Sequence, residues 1–309
     1  MLSILPDNKT SQVQQYNIQF QRQLTNDTAL SVGYVGTRGS NLSFYYNANA
    51  QPFGQAAGTR RFTNLGDVTV RDDIGRSTYN SLQIQLERRF ARGLQYLVSY
   101  ALSKTKDNSS GAFEGSRPQD INNFGAEYSN SGLDFPHVFT FSSVYDIPFG
   151  RGRRFGSEIP RALDFFIGGL QVNTILRLQS GQTFDFSVDG ARVDLTGDPY
   201  DGAPAGFFLN RSAFQPAPRV NGVNQRVGTL ERNGLRGPAQ KQLNLGLAKN
   251  FGITERARLQ FRTEFFNLTN TPQYTTPNTD FTNVNDFGRL RSTQLFTNRQ
   301  IQFGLRLEF

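Results

Sequence analysis

The residues that could support catalysis are few and widely spaced. His137 is the only histidine and the chain contains no cysteine, which excludes thiol nucleophiles, thiolate metal sites and disulfides. A Ser–His–Asp triad could be drawn with Ser142 or Ser143, but neither serine lies in the Gly-x-Ser-x-Gly turn that exposes such a nucleophile. We therefore predict that the protein is not an enzyme and has no cofactor.

Four aspartates in one long loop are the remaining candidates for metal binding. They are Asp189, Asp194, Asp198 and Asp201. Carboxylates are hard oxygen ligands of the kind that Ca²⁺ prefers. Their spacing does not match an EF-hand loop, and a solvated acidic loop is the simpler interpretation. We predict no metal site, with calcium at these aspartates as the open alternative.

Apolar and polar residues alternate with a period of two along most of the chain. In 82–90, for example, Leu82, Ile84 and Leu86 share one face of an extended segment, and glutamines and charged residues share the other. This pattern predicts about nine β-strands of about ten residues, the length of a tilted membrane strand. The predicted strands lie near 16–24, 30–34, 82–90, 94–102, 139–147, 170–178, 243–247, 259–265 and 301–309.

The connections between these strands alternate between short and long. The short ones lie near 25–28, 91–93 and 252–256, with a longer Gly/Arg-rich one at 150–167. The long ones lie near 38–77, 104–134, 180–241 and 270–294. Long unstructured loops are uncommon in compact soluble domains, whereas outer-membrane barrels pair short periplasmic turns with long external loops.

The composition agrees with strands that cross a membrane. The net charge is +8 and the mean hydropathy is −0.50, and no apolar run is long enough for a transmembrane helix. A barrel strand shows lipid only every second side chain, so its mean hydropathy stays low. The 28 Phe and 11 Tyr suit the aromatic girdles of such barrels. Basic residues are not interleaved with aromatics on one exposed face, which argues against nucleic-acid binding.

We therefore predict an all-β fold, an antiparallel transmembrane β-barrel in the bacterial outer membrane. The polar faces of the strands predict which residues line the lumen: Gln83, Gln85, Glu87, Arg89, Arg177, Arg258, Arg262, Glu264, Arg306 and Glu308. The last strand predicts an assembly signal for the barrel-assembly machinery, read by strand pairing: Ile301, Phe303, Leu305, Leu307 and Phe309. Outer-membrane lipid and lipopolysaccharide are the other expected partners. Arg60-Arg61 is a candidate contact for the latter, with plain solvated charge as the alternative.

Several segments resemble TonB-dependent receptors. The clearest is 262–272, which looks like the E-x-F-N-L-x-N strand near the C-terminus of that family. The segments 79–83, 100–104, 179–184 and 235–251 resemble its Oar-like subgroup. The resemblance implies a barrel of about 22 strands, plugged by an N-terminal domain and coupled to the TonB system.

This resemblance predicts that residues 1–309 are the C-terminal portion of an Oar-like barrel. We find no plug domain, TonB-contacting segment or signal peptide in the sequence, so we expect a fragment that supplies barrel wall and external ligand-capture loops. One alternative is a free-standing porin-like or oligomeric barrel, which an odd strand number disfavours. The other is a soluble β-rich surface or adhesion module, built as a sandwich with its apolar faces turned inward.

Overall fold

The computed structural model describes residues 2–4, 7, 9–55, 58–110, 118–253, 257–295 and 297–309. Nine long strands form one antiparallel sheet in which each strand pairs with its neighbour in sequence. We call this sheet the wall. Its strands are β2 (Gln12–Thr25), β3 (Thr28–Asn47), β4 (Thr69–Ala91), β5 (Leu94–Asp107), β7 (His137–Asp146), β8 (Leu170–Gln179), β17 (Gln240–Gly252), β18 (Arg258–Phe266) and β19 (Gln300–Glu308). All nine predicted strands and their order are confirmed.

The register of the wall places its apolar side chains on one continuous face. Residues directly opposite each other in antiparallel strands lie on the same face. Leu82 pairs with both Tyr34 and Leu102, and Phe261 pairs with Leu305. Many of these side chains are exposed, so most of the face is left uncovered by the described residues. An exposed apolar face of this extent indicates contact with lipid or with a partner.

Two strands run further than the alternation predicts. β3 has 20 residues and β4 has 23, so their connection is 48–68 rather than the predicted 38–77. The register shifts between Gly39 and Leu42 and again between Leu42 and Phe44. Such bulges change which face a side chain points to. The period-two pattern is therefore lost although the strands remain hydrogen-bonded.

The predicted alternation of connections holds for seven of the eight. Short connections occupy 26–27, 92–93 and 253–257, and long ones occupy 48–68, 108–136, 180–239 and 267–299. The connection 147–169 lies at the same end as the short ones but has 23 residues, more than 48–68. In an antiparallel meander, successive connections lie at opposite ends of the sheet. The wall thus has a short-connection end and a long-connection end.

Short strands and helices lie in the connections at both ends of the wall. The short strands are β1 (Leu2–Ile4), β6 (Ser129–Asn130), β9 (Thr183–Phe184), β10 (Ser187–Val188), β11 (Ala191–Arg192), β12 (Asp194–Leu195), β13 (Phe214–Gln215), β14 (Arg219–Val220), β15 (Val223–Asn224) and β16 (Leu235–Arg236). Two 3₁₀ helices span Phe124–Glu127 and Arg211–Ala213, and the one α-helix of the described chain, α1, spans Arg161–Ile167. No described helix is long and apolar enough to cross a membrane.

The hydrophobic core lies in the long connections rather than in the wall. Its buried members come from 180–239 and 267–299: Phe184, Phe186, Val193, Leu209, Ala213, Phe214, Leu230, Leu235, Phe281 and Phe287. The ring of Phe186 lies 5.1 Å from that of Phe214 and 5.2 Å from that of Phe287. These loops therefore fold against each other as a packed unit.

Candidate functional site

The long connections form one assembly at their end of the wall. We call the described residues of 48–68, 108–136, 180–239 and 267–299 the loop cap. Backbone hydrogen bonds join its parts, from Gly54 N to Asn224 O (2.8 Å) and from Phe208 N to Gly288 O (2.7 Å). The ring of Phe124 also lies 4.8 Å from Tyr46, at the end of β3. The connections of the cap thus contact each other, and they also contact the wall.

A buried ion pair joins two of these connections. Arg192 donates to both carboxylate oxygens of Glu127, with N–O distances of 2.9 and 3.0 Å. Both side chains are less than a tenth exposed. Arg192 Nε also donates to Leu230 O at 3.1 Å. Because a buried charge needs a partner and further hydrogen bonds, this arrangement fixes the two loops relative to each other.

Two further arginines hold the cap in place: Arg232 joins it to β5, and Arg236 joins two of its connections to each other. Arg232 pairs with Asp107 at the end of β5 and donates to Glu127 O at 2.8 Å. Arg236 donates to Asp134 Oδ2 at 2.6 Å and to Gly181 O at 2.9 Å. Planar guanidinium groups can bridge several acceptors in this way. Much of the positive charge of the cap is therefore structural.

A polar cavity of about 880 Å³ opens between three connections of the cap. Residues that line it include Phe53, Gln119, Asp185, Asn224 and Asn233. Two lining atoms, Gln119 Nε2 and Asn224 Oδ1, are buried and have no hydrogen-bond partner among the described residues. An unpaired buried polar atom costs free energy, and the residues that carry both atoms lie beside the cavity.

The predicted lumen residues share the face of the wall opposite the apolar one. Arg258 pairs across strands with Glu308, Glu264 pairs with Gln302, and Gln83 pairs with Ala101. Along β19, Arg306 Nε lies 3.2 Å from a carboxylate oxygen of Glu308. These residues share one face, as the alternation of side chains along each strand predicts. That this face contacts a watery lumen stays a prediction.

The predicted assembly residues lie on the last strand and directly after it. Ile301, Phe303, Leu305 and Leu307 belong to β19, pair with β18 and lie on the apolar face. Within the described residues, β19 pairs on one side only. Phe309 follows the strand and is almost fully exposed. Recognition of this strand by the assembly machinery stays a prediction.

Three of the four aspartates considered for calcium have other side-chain contacts. Asp189 pairs with Arg219 and Asp194 pairs with Arg226. Asp198 accepts the backbone N–H of Asp201 at 3.2 Å. Among the described residues, no group of three or more His, Cys, Asp or Glu side chains is placed to hold a metal. The calcium alternative therefore gains no support.

The Ser–His–Asp triad considered from the sequence does not form. The Nδ1 atom of His137 is 2.8 Å from Tyr100 Oη on the apolar face. Ser142 lies five residues further along β7, about 16 Å away at the rise of a β-strand.

Sequence reasoning missed the residues that build the cap. Glu127, Arg192 and Gln119 lie in aperiodic loops and meet only in the folded chain, so no spacing pattern could have found them. One clue was available in the Gln-Ser-Gly-Gln-Thr-Phe segment at 179–184, since a Cβ on Gly181 would clash with Gly237 O. A glycine there implies close backbone approach.

Comparison with known families decides the class of protein. The sequence matches the family described as outer membrane beta barrel domain over residues 1–302. The chain belongs to this outer membrane beta barrel domain family. Its location is therefore the bacterial outer membrane, and the predicted fold class and location are confirmed.

One solved structure shows the same fold at low sequence identity, and two others give lower scores. The outer membrane transporter YddB from Escherichia coli superposes with a TM-score of 0.54 at 10% identity, over 98% of this chain and 33% of that one. The ferric-catecholate import receptor Fiu from E. coli gives 0.48 at 13% identity, over 98% of this chain and 28% of that one. The pyoverdine receptor FpvA from Pseudomonas aeruginosa gives 0.48 at 13% identity, over 97% and 30%.

The beta barrel chain spans about a third of the length of these structures. No curated protein sequence matches it significantly. The likeness to YddB is one of fold.

Proposed function

We propose that this beta barrel chain forms part of the wall and the external ligand-capture loops of a TonB-dependent receptor of the Oar-like subgroup. The observation that carries the proposal is the packed loop cap with its polar cavity. The cap lies at one end of a wall that has one apolar face and one polar face. The sequence segments 179–184 and 235–251 that resemble the subgroup contribute β9 and β16 to this cap. The proposed activity is therefore capture of a ligand for transport.

The open edges of the wall support a larger barrel. β2 and β19 are the two ends of the strand order, and each pairs with one wall strand only among the described residues. Unpaired backbone groups are very costly in lipid, so spanning sheets close on themselves. We propose that further strands pair with β2 and β19, and that a plug domain and the TonB system act with the closed barrel.

The cavity supports capture of a small polar ligand. Asp185 already accepts the backbone N–H of Asn233, and Glu127 is neutralised by Arg192, so the cavity holds fixed polar groups rather than a free cluster of one charge. Sites of this kind orient a ligand with a few placed donors and acceptors. Gln119, Asn224 and Asn233 are the lining side chains to test first.

Labelling of single cysteines tests the orientation that this function requires. The chain has no native cysteine, so Phe62→Cys in the loop cap and Ser157→Cys at the short-connection end each give one reactive thiol. Both sites are exposed. In intact cells, a membrane-impermeant maleimide should label the Phe62→Cys protein, and it should label the Ser157→Cys protein only after the outer membrane is permeabilised. The reverse pattern would place the cap in the periplasm and exclude ligand capture.

Conductance in planar lipid bilayers separates the proposal from a free-standing porin. A wall section with open edges should give no stable channel when the purified chain is added alone, because it cannot close around a pore. Stable, uniform channels from the chain alone would favour the porin-like or oligomeric barrel.

A further inference from the structure

The connection 147–169 lies against the apolar face of the wall. The ring centroids of Phe165, in α1, and Phe251, in β17, are 4.9 Å apart. Phe251 pairs with Leu259 of β18 in an unbroken register and so shares the apolar face with Leu247. Helix α1 is therefore on the side of the wall that contacts lipid, at the short-connection end.

Lys249 holds this helix in place. It lies on the same face, pairs with Leu170 and is buried. Its Nζ donates to the carbonyl oxygens of Gly168 and Asp164, the latter at 3.3 Å. The Asp164 side chain in turn accepts the backbone N–H of Arg151 at 2.7 Å. The position of the connection is thus fixed from both of its ends.

The side chains of this connection leave a large apolar surface uncovered. No residue of α1 is buried, although a helix on a soluble protein normally turns one apolar stripe into the core. Phe165 is 56% exposed and Phe166 is 73% exposed. Phe155, in the same connection, and Ile253, directly after β17, are more than half exposed. This surface continues the apolar face of the wall, which indicates that lipid covers both.

Positive charge surrounds these aromatic side chains. Arg151, Arg153, Arg154 and Arg161 are all exposed, against two acidic residues in the same connection, Glu158 and Asp164. None of the four arginines forms an ion pair with a described residue. The guanidinium of Arg154 lies over the ring of Phe155, 5.4 Å from its centroid. Aromatic and basic groups therefore interleave on this surface, contrary to the expectation from the sequence.

We propose that the connection 147–169 is an interfacial anchor that binds anionic phospholipid headgroups at the short-connection end of the wall. Phe165 and Phe166 enter the boundary between headgroups and acyl chains, where aromatic side chains are favoured. The arginines contact the lipid phosphates, as basic residues do on helices that lie in the plane of a membrane. This lipid site goes beyond the wall and ligand-capture function proposed above.

Tryptophan fluorescence tests the depth of the helix. The chain contains no tryptophan, so Phe166→Trp introduces a single reporter, and Phe62→Trp in the loop cap is the matched control. The purified protein is placed in nanodiscs made with brominated-acyl lipid, and each signal is taken as the difference from the unsubstituted protein. Phe166→Trp should be blue-shifted and quenched several-fold more than Phe62→Trp. Equal and weak quenching of the two would overturn the anchor.

The number of retained lipids tests whether the arginines bind anionic headgroups. Arg153→Gln/Arg154→Gln removes one adjacent arginine pair, and Arg60→Gln/Arg61→Gln removes the matched pair from the loop cap. Native mass spectrometry of each protein from nanodiscs containing phosphatidylglycerol and phosphatidylcholine counts the bound lipids. We expect the first variant to lose phosphatidylglycerol several-fold with no change in phosphatidylcholine, and the second to match the unsubstituted protein. Equal phosphatidylglycerol retention by all three would overturn the headgroup site.

Discussion

Arg192 and Glu127 lie 65 residues apart in sequence and form a buried, two-bond ion pair in the loop cap. Such a pair is necessary once both charges are buried, because removal of one partner leaves the other without compensation. The exposed pair of Arg60 and Asp67 has the same chemistry in a different environment. Replacing the carboxylate by its amide should therefore lower stability more in the buried pair than in the exposed pair.

Glu127→Gln should open the loop cap locally. Loss of one partner from a buried pair costs about 3–5 kcal/mol, whereas an exposed pair contributes about 1 kcal/mol or less. Hydrogen exchange of amides near Arg192 measures the local opening free energy. We expect a large drop for Glu127→Gln and a small change near Asp67 for the control Asp67→Asn. Equal effects would contradict a structural role for the buried pair.

Asp194 provides a pH-dependent contact in the same cap. The hydrogen bonds from Arg226 and from the Thr229 backbone hold the pKa of Asp194 below its ordinary value of 3.8. Because the folded pKa is lowered, the stabilisation is present above pH 3.8 and is lost as pH falls through the lowered value. A carboxyl chemical-shift titration should show a midpoint below 3.8 that rises in Arg226→Gln. A midpoint unmoved by that substitution would show that the pair does not form.

At the scale of elements, the sequence predicts the wall well and the cap poorly. Strands such as β4 alternate because their two faces meet different surroundings, and this leaves a readable period. The paired strands β9 and β16 have two residues each, and α1 has seven, so none of them is long enough to show a period. The cap depends on contacts between distant loops, which no local pattern encodes. The polar face of the wall could be predicted, but the cavity could not.

The close approach of two loop segments at Gly181 gives a test of the cap. A Cβ at this position would clash with Gly237 O, next to the pairing of β9 with β16. Gly181→Ala should therefore separate these strands and increase protease cleavage in 180–239. Gly66→Ala is the control, since a Cβ there meets nothing within 4 Å and its φ is not positive. Comparable cleavage of both variants would contradict the packed cap.

The two faces of β4 should respond differently to charge. Arginine on the lipid face near the membrane centre costs about 2–4 kcal/mol, whereas arginine in a watery lumen costs little. Ile84 lies on the apolar face between Val32 and Tyr100, and Gln85 lies on the other face. We expect Ile84→Arg to reduce the heat-resistant, membrane-inserted fraction on gels and Gln85→Arg to leave it nearly unchanged. A larger loss from Gln85→Arg would reverse the face assignment.

At the scale of the whole molecule, the beta barrel chain combines three surfaces with different surroundings. We expect the apolar face of the wall to meet lipid; the long-connection end carries a packed cap with a polar cavity, and the short-connection end carries an aromatic and basic segment. The proposals for ligand capture and lipid anchoring both depend on the first of these placements.

A tryptophan scan of residues 82–86 tests that placement most directly. Each position is replaced singly, and the protein in nanodiscs is exposed to brominated-acyl lipid and to aqueous iodide. Tryptophan at Leu82, Ile84 and Leu86 should be quenched by the lipid, and tryptophan at Gln83 and Gln85 by iodide, because side chains on a strand alternate between faces. Quenching without a period of two, or with the two sets exchanged, would contradict a wall whose apolar face contacts lipid.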